Sequence, residues 1–469
     1  MILLVILAIA AILFILGINS NLLLFKINMR SIGSFEYIRE GEEYLDKGLY
    51  NKAIGFYEKA YESSPGNPSI RSAVIFVYSK YASILAAGAK YDEAIKYLTR
   101  AYDIKQSPST AQNLAIMYTA KALPLARKED TEKAMELFRE ARSIAYGSYS
   151  AARNLGISLF NDGITEFKQG REKIALLCLK ESSLAYQYGK TFAVLGDIYY
   201  KHGELRRALF YWHRAKLLDP NDRSIPPKLK RVIKEIKLAN SANTIELPHF
   251  DIKYKENLPV DADLAASILE KAYFEVGKDL AYFPKTKTGV FLYSENDFKN
   301  IFKMPAAVRA FYDGNMRIPV PDKRMGHEEF LKHIYHEYTH ALLSAKTMNN
   351  CPVWFSEGIA TWEELDKSGC SLKDLSVSSE KINGITLASL NKEFEKNEIG
   401  PNMAAYYLLS YTLAAYIIES WGMEGLRDIL KRLADGQHVV NAIDDEFLLS
   451  EKEFERRWKA YIRNKYLLK

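Results

Sequence analysis

The first half of this chain repeats itself, and that restricts its fold more than any other feature. Residues 34–67 contain Tyr37, Gly41, Tyr44, Ala53, Tyr57, Ala60 and Pro65; residues 189–222 contain Phe192, Leu195, Gly196, Tyr199, Ala208, Trp212, Ala215 and Pro220. Gly41 precedes Ala53 by 12 positions, as Gly196 precedes Ala208, and Ala53–Ala60 and Ala208–Ala215 both span 7, with the proline 5 further on. Three looser units lie between. Ala94 with Ala101 and Ala134 with Ala141 keep the interval of 7, and a degenerate unit surrounds REKIALLCLKESSLAY. The anchors at 53, 94, 134, 175 and 208 are 41, 40, 41 and 33 apart, so the middle units carry about six or seven extra residues, assigned to longer first helices. Such units cannot bury their own faces and fold only by stacking, so their aromatic residues are expected between helices. Pro226 and Pro227 end the array. KLKRVIKEIKL then places Leu229, Val232, Ile233 and Ile236 at helical spacing, the buried stripe of a capping helix with solvated lysines.

The pattern of small and aromatic positions resembles the tetratricopeptide repeat, in which small residues sit where paired helices cross. The resemblance implies about five helix pairs over 34–222, stacked as an α-solenoid that docks a protein partner or substrate, followed by a cap and linker over 223–245.

Composition excludes several alternatives. With 469 residues, 48% hydrophobic and 26% charged, the chain is neither disordered, collagen-like nor a multi-span membrane protein. A net charge of +6 and the absence of an arginine-rich arm give no basis for a nucleic-acid partner. Three cysteines do not make a disulfide framework. Ile2 to Leu16 is an unbroken apolar run, and with Gly17 to Phe25 it reaches the ~20 residues of a spanning helix. It has no basic residue ahead of it and no clear cleavage point at Ile18-Asn19-Ser20, so residues 1–25 are expected to be an uncleaved membrane anchor rather than a signal peptide. Lys26 and Arg30 behind the span favour a cytoplasmic bulk, whereas the usual export role of such segments favours an extracytoplasmic one; the second is adopted, with the topology left open.

Beyond Asn240 the pattern changes. IELPHFDIKY alternates and reads as one strand; Asp261 or Asp263 caps a helix running to about Tyr282; Lys287 to Tyr293 is a further strand. After the turn Tyr312-Asp313-Gly314-Asn315 comes a short extended stretch, Met316 to Val320, where Pro319 and Pro321 suit only an edge strand. Four of the eight histidines then fall within His327 to His340, in HEEFLKHIYHEYTHALL. His336 and His340, four apart on a helix, are separated by about 40° around its axis, so both imidazoles reach one metal while Glu337 projects beside them. Leu331, Ile334, Tyr338, Ala341 and Leu342 form the opposite, core face. CPVWFSEGIATWEE supplies Glu357, 17 positions after His340 and beyond the turn at Asn349-Asn350 and Pro352. Two histidines and a carboxylate leave one coordination position open for water.

Together with the PHFDIKY strand, YDGNMRIPVP, and AAYYLLSYTLAAYIIESWG, the segments HEYTHALL and WFSEGIA resemble the gluzincin metallopeptidases, most nearly the peptidase MA-like domains joined to tetratricopeptide repeats. The resemblance covers 246–469. It implies an α+β zincin-type domain with Zn2+ as cofactor, held by His336, His340 and Glu357, with Glu337 as general base and a protein or peptide substrate. It further implies a tyrosine that stabilises the oxyanion; Tyr406, Tyr407 and Tyr411 are candidates, and Tyr407 best fits a Y-x-x-S pattern. Two features depart from the relatives: the interval to Glu357 is shorter, and Thr361 stands where thermolysin-like enzymes place an acid that orients the first histidine. His333 is read as cleft rim rather than a fourth ligand, and His327 as surface. Cys351 and Cys370 are read equally well as a pair or as reduced residues. Gly314-Asn315-Met316-Arg317 lacks the acid with which aminopeptidase relatives hold a free amine, which favours endopeptidase action. The whole is expected to be mainly α, a membrane-tethered zinc metallopeptidase; the competing reading is a non-catalytic repeat scaffold with a peptidase-like binding domain.

Overall fold

The computed structural model describes residues 33–255, 258, 262–303, 310–320, 327–370, 378–396 and 403–467. The apolar segment 1–25, Asp261 and Pro321 lie outside the described residues. The protein is mainly helical, with tetratricopeptide-like helix pairs and a small sheet. It divides into two compact units, Met1–Thr165 with Glu172–Tyr188, and Glu166–Arg171 with Gly189–Lys469.

The first unit is built of α1 (residues 33–46), α2 (Tyr50–Ser63), α3 (Pro68–Ala87), α4 (Tyr91–Ile104), α5 (Pro108–Arg127), α6 (Thr131–Tyr146), α7 (Tyr149–Lys168) and α8 (Glu172–Ala185). α3 and α5 start where the sequence supplies caps. The Asn67 carboxamide oxygen accepts from the Ser69 N–H at 2.9 Å, just ahead of Pro68, and Ser107 and Thr110 form a reciprocal capping box ahead of α5. The extra residues of the middle units lie in the first helices: α3, α5 and α7 have 20 residues each, whereas α9 (Gly189–Lys201), the first helix of the last pair, has 13. Among the described residues α3 alone is long and apolar enough to cross a membrane. Its Ile70, Val74 and Val77 are buried with Ala53, Tyr57 and Ala60 of α2, so packing between adjacent pairs accounts for its apolar face.

One contact recurs in every pair. A small residue 12 positions before each anchor faces a large one 4 positions after it: Gly41 and Tyr57, Ala82 and Leu98, Ala122 and Phe138, Gly163 and Leu179, Gly196 and Trp212. A Cβ on Gly41, Gly163 or Gly196 would stand 2.7, 2.8 or 2.3 Å from its partner's ring or side chain, so glycine is what allows these helices to meet. The pair around residue 175 looks degenerate only because Ser182 replaces the second alanine. Ser182 is fully buried, and its hydroxyl donates to the Gly156 carbonyl at 2.7 Å, so the polar group is satisfied.

The second unit opens with α9, α10 (Leu205–Leu218) and α11 (Ile225–Ala239). Five strands follow, β1 (Ala242–Glu246), β2 (Phe250–Lys255), β3 (Thr288–Ser294), β4 (Phe311–Tyr312) and β5 (Met316–Val320), in the order β1-β2-β3-β5-β4. The pairs β2–β3 and β3–β5 are parallel; both outer pairs are antiparallel. Between them lie α12 (Ala262–Leu280) and α13 (Glu295–Phe302), and after them α14 (His327–Lys346), α15 (Val353–Lys367), α16 (Ser379–Gly384), α17 (Leu387–Glu395), α18 (Met403–Ala434), α19 (Val439–Phe447) and α20 (Glu451–Ile462).

Three features differ from the sequence expectation. IELPHFDIKY is not one strand but the hairpin β1–β2, closed by a Leu247 N–H to Phe250 carbonyl bond of 2.8 Å; Pro248 sits in the turn, where a missing N–H costs no ladder bond. β5 is not an edge throughout, because β4 pairs with Met316 and Arg317; Pro319 falls in the half that β4 does not reach. The stripe expected on α11 is rotated: Ile233 is 39% exposed and Glu235 is 2% exposed, because Glu235 pairs with the buried Arg317 of β5. The compact unit that holds the sheet comprises Glu166–Arg171 and Gly189–Lys469, and so includes α9, α10 and α11.

The sheet has two dressed faces. Val290, Leu292, Met316, Ile318 and Val320 face a core shared with Phe330, Ile334, Tyr338 and Leu342 of α14. The alternate residues Phe291 and Tyr293 pack with Phe298 and Ile301 of α13 and with Leu238 of α11. Replacing Gly196 with valine forces Trp212 away and is expected to destabilise the protein by about 1–3 kcal/mol. Gly55→Ala, at a helical position with nothing within 4 Å of the new carbon, is the control and is expected to be neutral or stabilising. Urea denaturation of both variants checks this; equal midpoints would refute the packing role of Gly196.

Candidate metal centre

The site grows from the two faces of α14. Ile334, Tyr338, Ala341 and Leu342 are buried against the sheet, which leaves His336 and His340 half-buried on the other face. After Lys346 the chain turns through Met348 and Asn349, both with left-handed φ (53° and 64°), and the Asn349 N–H returns to the Ser344 carbonyl at 2.8 Å. Pro352 then caps α15, and Trp354, Phe355 and Ile359 anchor that helix in the core shared with α14. Gly358 fixes its approach to α18: a Cβ there would lie 2.2 Å from the Ser410 carbonyl oxygen, so the two helices cross at van der Waals contact beside Glu357.

This arrangement brings together His336, His340 and Glu357, whose ligand atoms all lie within 4.8 Å of one another; among the described residues they are the one such group. The Nε2 atoms of His336 and His340 are 3.3 and 3.6 Å from the same Glu357 oxygen, Oε2. Each ring is held from behind. His336 Nδ1 is 2.9 Å from Glu364 Oε2, and His340 Nδ1 is 2.8 Å from Ser356 Oγ. A proton on Nδ1 satisfies each of these bonds; Nε2 donates to Glu357 while the ring is charged, and is the nitrogen whose lone pair becomes available once that proton is lost.

The electrostatics follow from burial and from these pairs. Burial disfavours the His336 imidazolium, but hydrogen bonds to Glu357 and Glu364 outweigh it and hold the ring's pKa well above the ordinary value. Burial also opposes ionisation of Glu357, yet the field of His340 and bonds from both histidines keep its carboxyl well below the usual range. Glu337 behaves differently. Burial pushes its pKa up to about 6, with His340 and His336 pulling the other way. Its Oε2 is buried with no hydrogen-bond partner among the described residues. The three convergent donors, the anchored Nδ1 atoms and this orphaned carboxylate oxygen fit a cation held between His336, His340 and Glu357, with Glu337 beside it.

Of the three tyrosines considered, Tyr407 is the one whose hydroxyl responds to these charges. Its hydroxyl is raised by burial first and then by Glu357 and Glu337, and its ring packs edge-on to Phe394 at 5.2 Å. Tyr411 is raised by burial, with Glu419 and Asp366 as its charged neighbours, and Tyr406 lies beneath the Lys381 ammonium at 4.3 Å. His333 is half-buried on α14 and does not belong to the converging group. The side chain of His327 lies outside the described residues. Cys351 and Cys370 are not bonded to each other, and Cys178 forms no disulfide.

Sequence reasoning misses Glu364 and Ser356. It looks for the orienting acid one turn after Glu357, at Thr361. The acid stands two turns after, at Glu364, and seven residues along a helix return to nearly the same face. The WEE run in ATWEE holds the signal; Ser356 has none beyond its place next to Glu357.

Solved structures with similarity to the chain include a thermophilic TPR protein of Thermus thermophilus, 16% identical, with 43% of this chain and 98% of that one covered at a TM-score of 0.20. Another is PilW, a widely conserved type IV pilus biogenesis factor, 20% identical, covering 44% of this chain and 87% of its own at 0.19. No curated protein matches. The family described as the Peptidase MA superfamily matches residues 324–464, a span that contains His336, Glu337, His340, Glu357, Glu364 and Tyr407. Residues 324–464 are therefore a Peptidase MA superfamily domain.

Proposed function

We propose that the protein is a zinc-dependent peptidase, tethered to a membrane by residues 1–25, whose repeats dock a protein substrate or partner. The observation that carries the catalytic part is the convergence of His336 Nε2, His340 Nε2 and a Glu357 oxygen beside the buried, partner-free Oε2 of Glu337. His336, His340 and Glu357 would hold the ion. Bound there, zinc supplies a Lewis acid that polarises a carbonyl and lowers the pKa of a water toward ~7.

The rest is the work of this chain's side chains. Glu364 and Ser356 keep the Nδ1 protons of His336 and His340, fixing both rings in the tautomer that presents Nε2. Glu337, with its pKa pushed up to about 6, accepts a proton from the attacking water at a carboxylate oxygen and delivers it to the leaving amine. Tyr407 keeps its hydroxyl proton far above neutral pH and is the candidate donor to the developing oxyanion. Asp313, the acid nearest the Gly314–Arg317 segment, is occupied by Arg317, with both carboxylate oxygens 3.1 Å from its Nε. No acid in that segment is left to receive a substrate's free amine, which supports endopeptidase over aminopeptidase action.

In the purified full chain, Glu337→Gln is expected to keep its zinc and lose about 10²–10⁴-fold of its hydrolysis of generic fluorogenic peptides. His340→Ala is expected to lose the zinc. Glu364→Gln is expected to bind zinc about 10–100-fold more weakly in a chelator competition. Equal zinc in wild type and His340→Ala would refute the ligand set. Wild-type rates in Glu337→Gln would refute the base, and no hydrolysis by a zinc-loaded wild type would favour a binding domain over an enzyme.

A further inference from the structure

Arg317 is a charge placed where a sheet residue is normally apolar. It lies in β5 with no exposed surface, on the sheet face away from α14. Its partners come from four elements. Nη1 donates to Glu235 of α11 and, at 2.8 Å, to the Tyr293 hydroxyl of β3; Nε donates to Asp313 at the β4–β5 turn. Its guanidinium stacks over the rings of Tyr200 and Phe291, each 4.8 Å away. The Tyr200 hydroxyl, at the end of α9, donates to the second Glu235 oxygen at 2.5 Å. The end of α9 also touches the β4–β5 turn directly. Asn315 Nδ2 donates to the Lys201 carbonyl at 2.9 Å, and Gly314, with φ of +104°, lies so close that a Cβ would stand 2.4 Å from that oxygen.

β5 matters because of what its other residues do. Met316, Ile318 and Val320 pack against the helix that carries His336 and His340. β4 pairs with Met316 and Arg317, and no described residue pairs with the same side of Ile318 to Val320, the stretch that the peptidase reading assigns to an extended substrate.

We propose that Tyr200, Glu235 and Arg317 are positioning residues: the last helix pair and its cap set the register and stiffness of β5, and with them the binding of an extended substrate beside the metal-ligand helix. This rests on the peptidase reading for its substrate but not for the strand. The last helix pair then acts as part of the cleft rather than as a detachable docking module.

The test uses the full chain with Tyr200→Phe, which keeps the ring under Arg317 and removes one hydroxyl, and Glu235→Gln, which keeps the shape and removes the charge. Tyr78→Phe removes a comparable tyrosine–glutamate bond, to Glu58, in the other compact unit. Amide hydrogen exchange over 311–320 is expected to quicken at least tenfold in Tyr200→Phe and Glu235→Gln, with 331–345 of α14 unchanged, and not at all in Tyr78→Phe. In the zinc-loaded protein, a peptidyl hydroxamate is expected to bind five- to tenfold more weakly to the two variants, while acetohydroxamate, which engages only the metal, binds as to wild type. Unchanged exchange in β5, equal quickening of α14, or equal weakening of both hydroxamates would overturn the proposal. If wild type binds neither hydroxamate, the peptidase reading fails on its own, and the exchange result still decides the positioning role.

Discussion

The burial of one face of α14 against the sheet is the constraint from which the rest of the site follows. Ile334, Tyr338, Ala341 and Leu342 can enter that core in only one rotation of the helix. That rotation directs His336 and His340 the other way and puts Glu337 at the boundary between core and cleft. The helix is too short of apolar residues to pack on both faces, so the histidine face stays half open. α15 then completes the group because Gly358 lets it settle against α18, and Glu364 and Ser356 lock each imidazole from behind. Each polar group here is costly to bury alone. Paired as they are, Glu357 and the histidines offset one another, while Glu337 keeps a buried oxygen with no partner among the described residues, the property its proposed role requires.

Much of this is legible in the sequence because it depends on local periodicity. The spacing of His336 and His340, the core stripe on their helix and the seven-residue interval in the repeats are all set within a few turns of one helix. The +16 contact between small and large residues is readable too, but only once the anchors are aligned: Ala82 and Ala122 do at 82 and 122 what glycine does at 41, 163 and 196. Glu364 is obscured by an expectation carried over from relatives about which turn holds the orienting acid.

What the sequence hides depends on pairing across the sheet. Nothing near Glu235 marks it as buried; its lysine-rich helix reads as a solvated cap until Arg317, 82 positions later, is seen to need a counter-charge. The same partnership exposes Ile233, an apolar residue at the right spacing for a core. Pro319 is incompatible with a doubly paired position, as its ring requires, but a two-residue strand covers the other half of β5, which spacing alone does not reveal. The misses on α11 have one cause. A buried ion pair overrides the apolar pattern on both elements that supply it, and single-element patterns carry no record of the partner.

The central claim is that two imidazoles and one carboxylate converge on an ion in the folded chain. X-ray absorption at the zinc edge of the purified, zinc-loaded protein measures this directly. The account predicts one zinc with two imidazole nitrogens at about 2.0–2.1 Å, carboxylate oxygen at about 2.0–2.2 Å, and no sulfur. A first shell with a thiolate at about 2.3 Å, or one with no imidazole scattering, would contradict it.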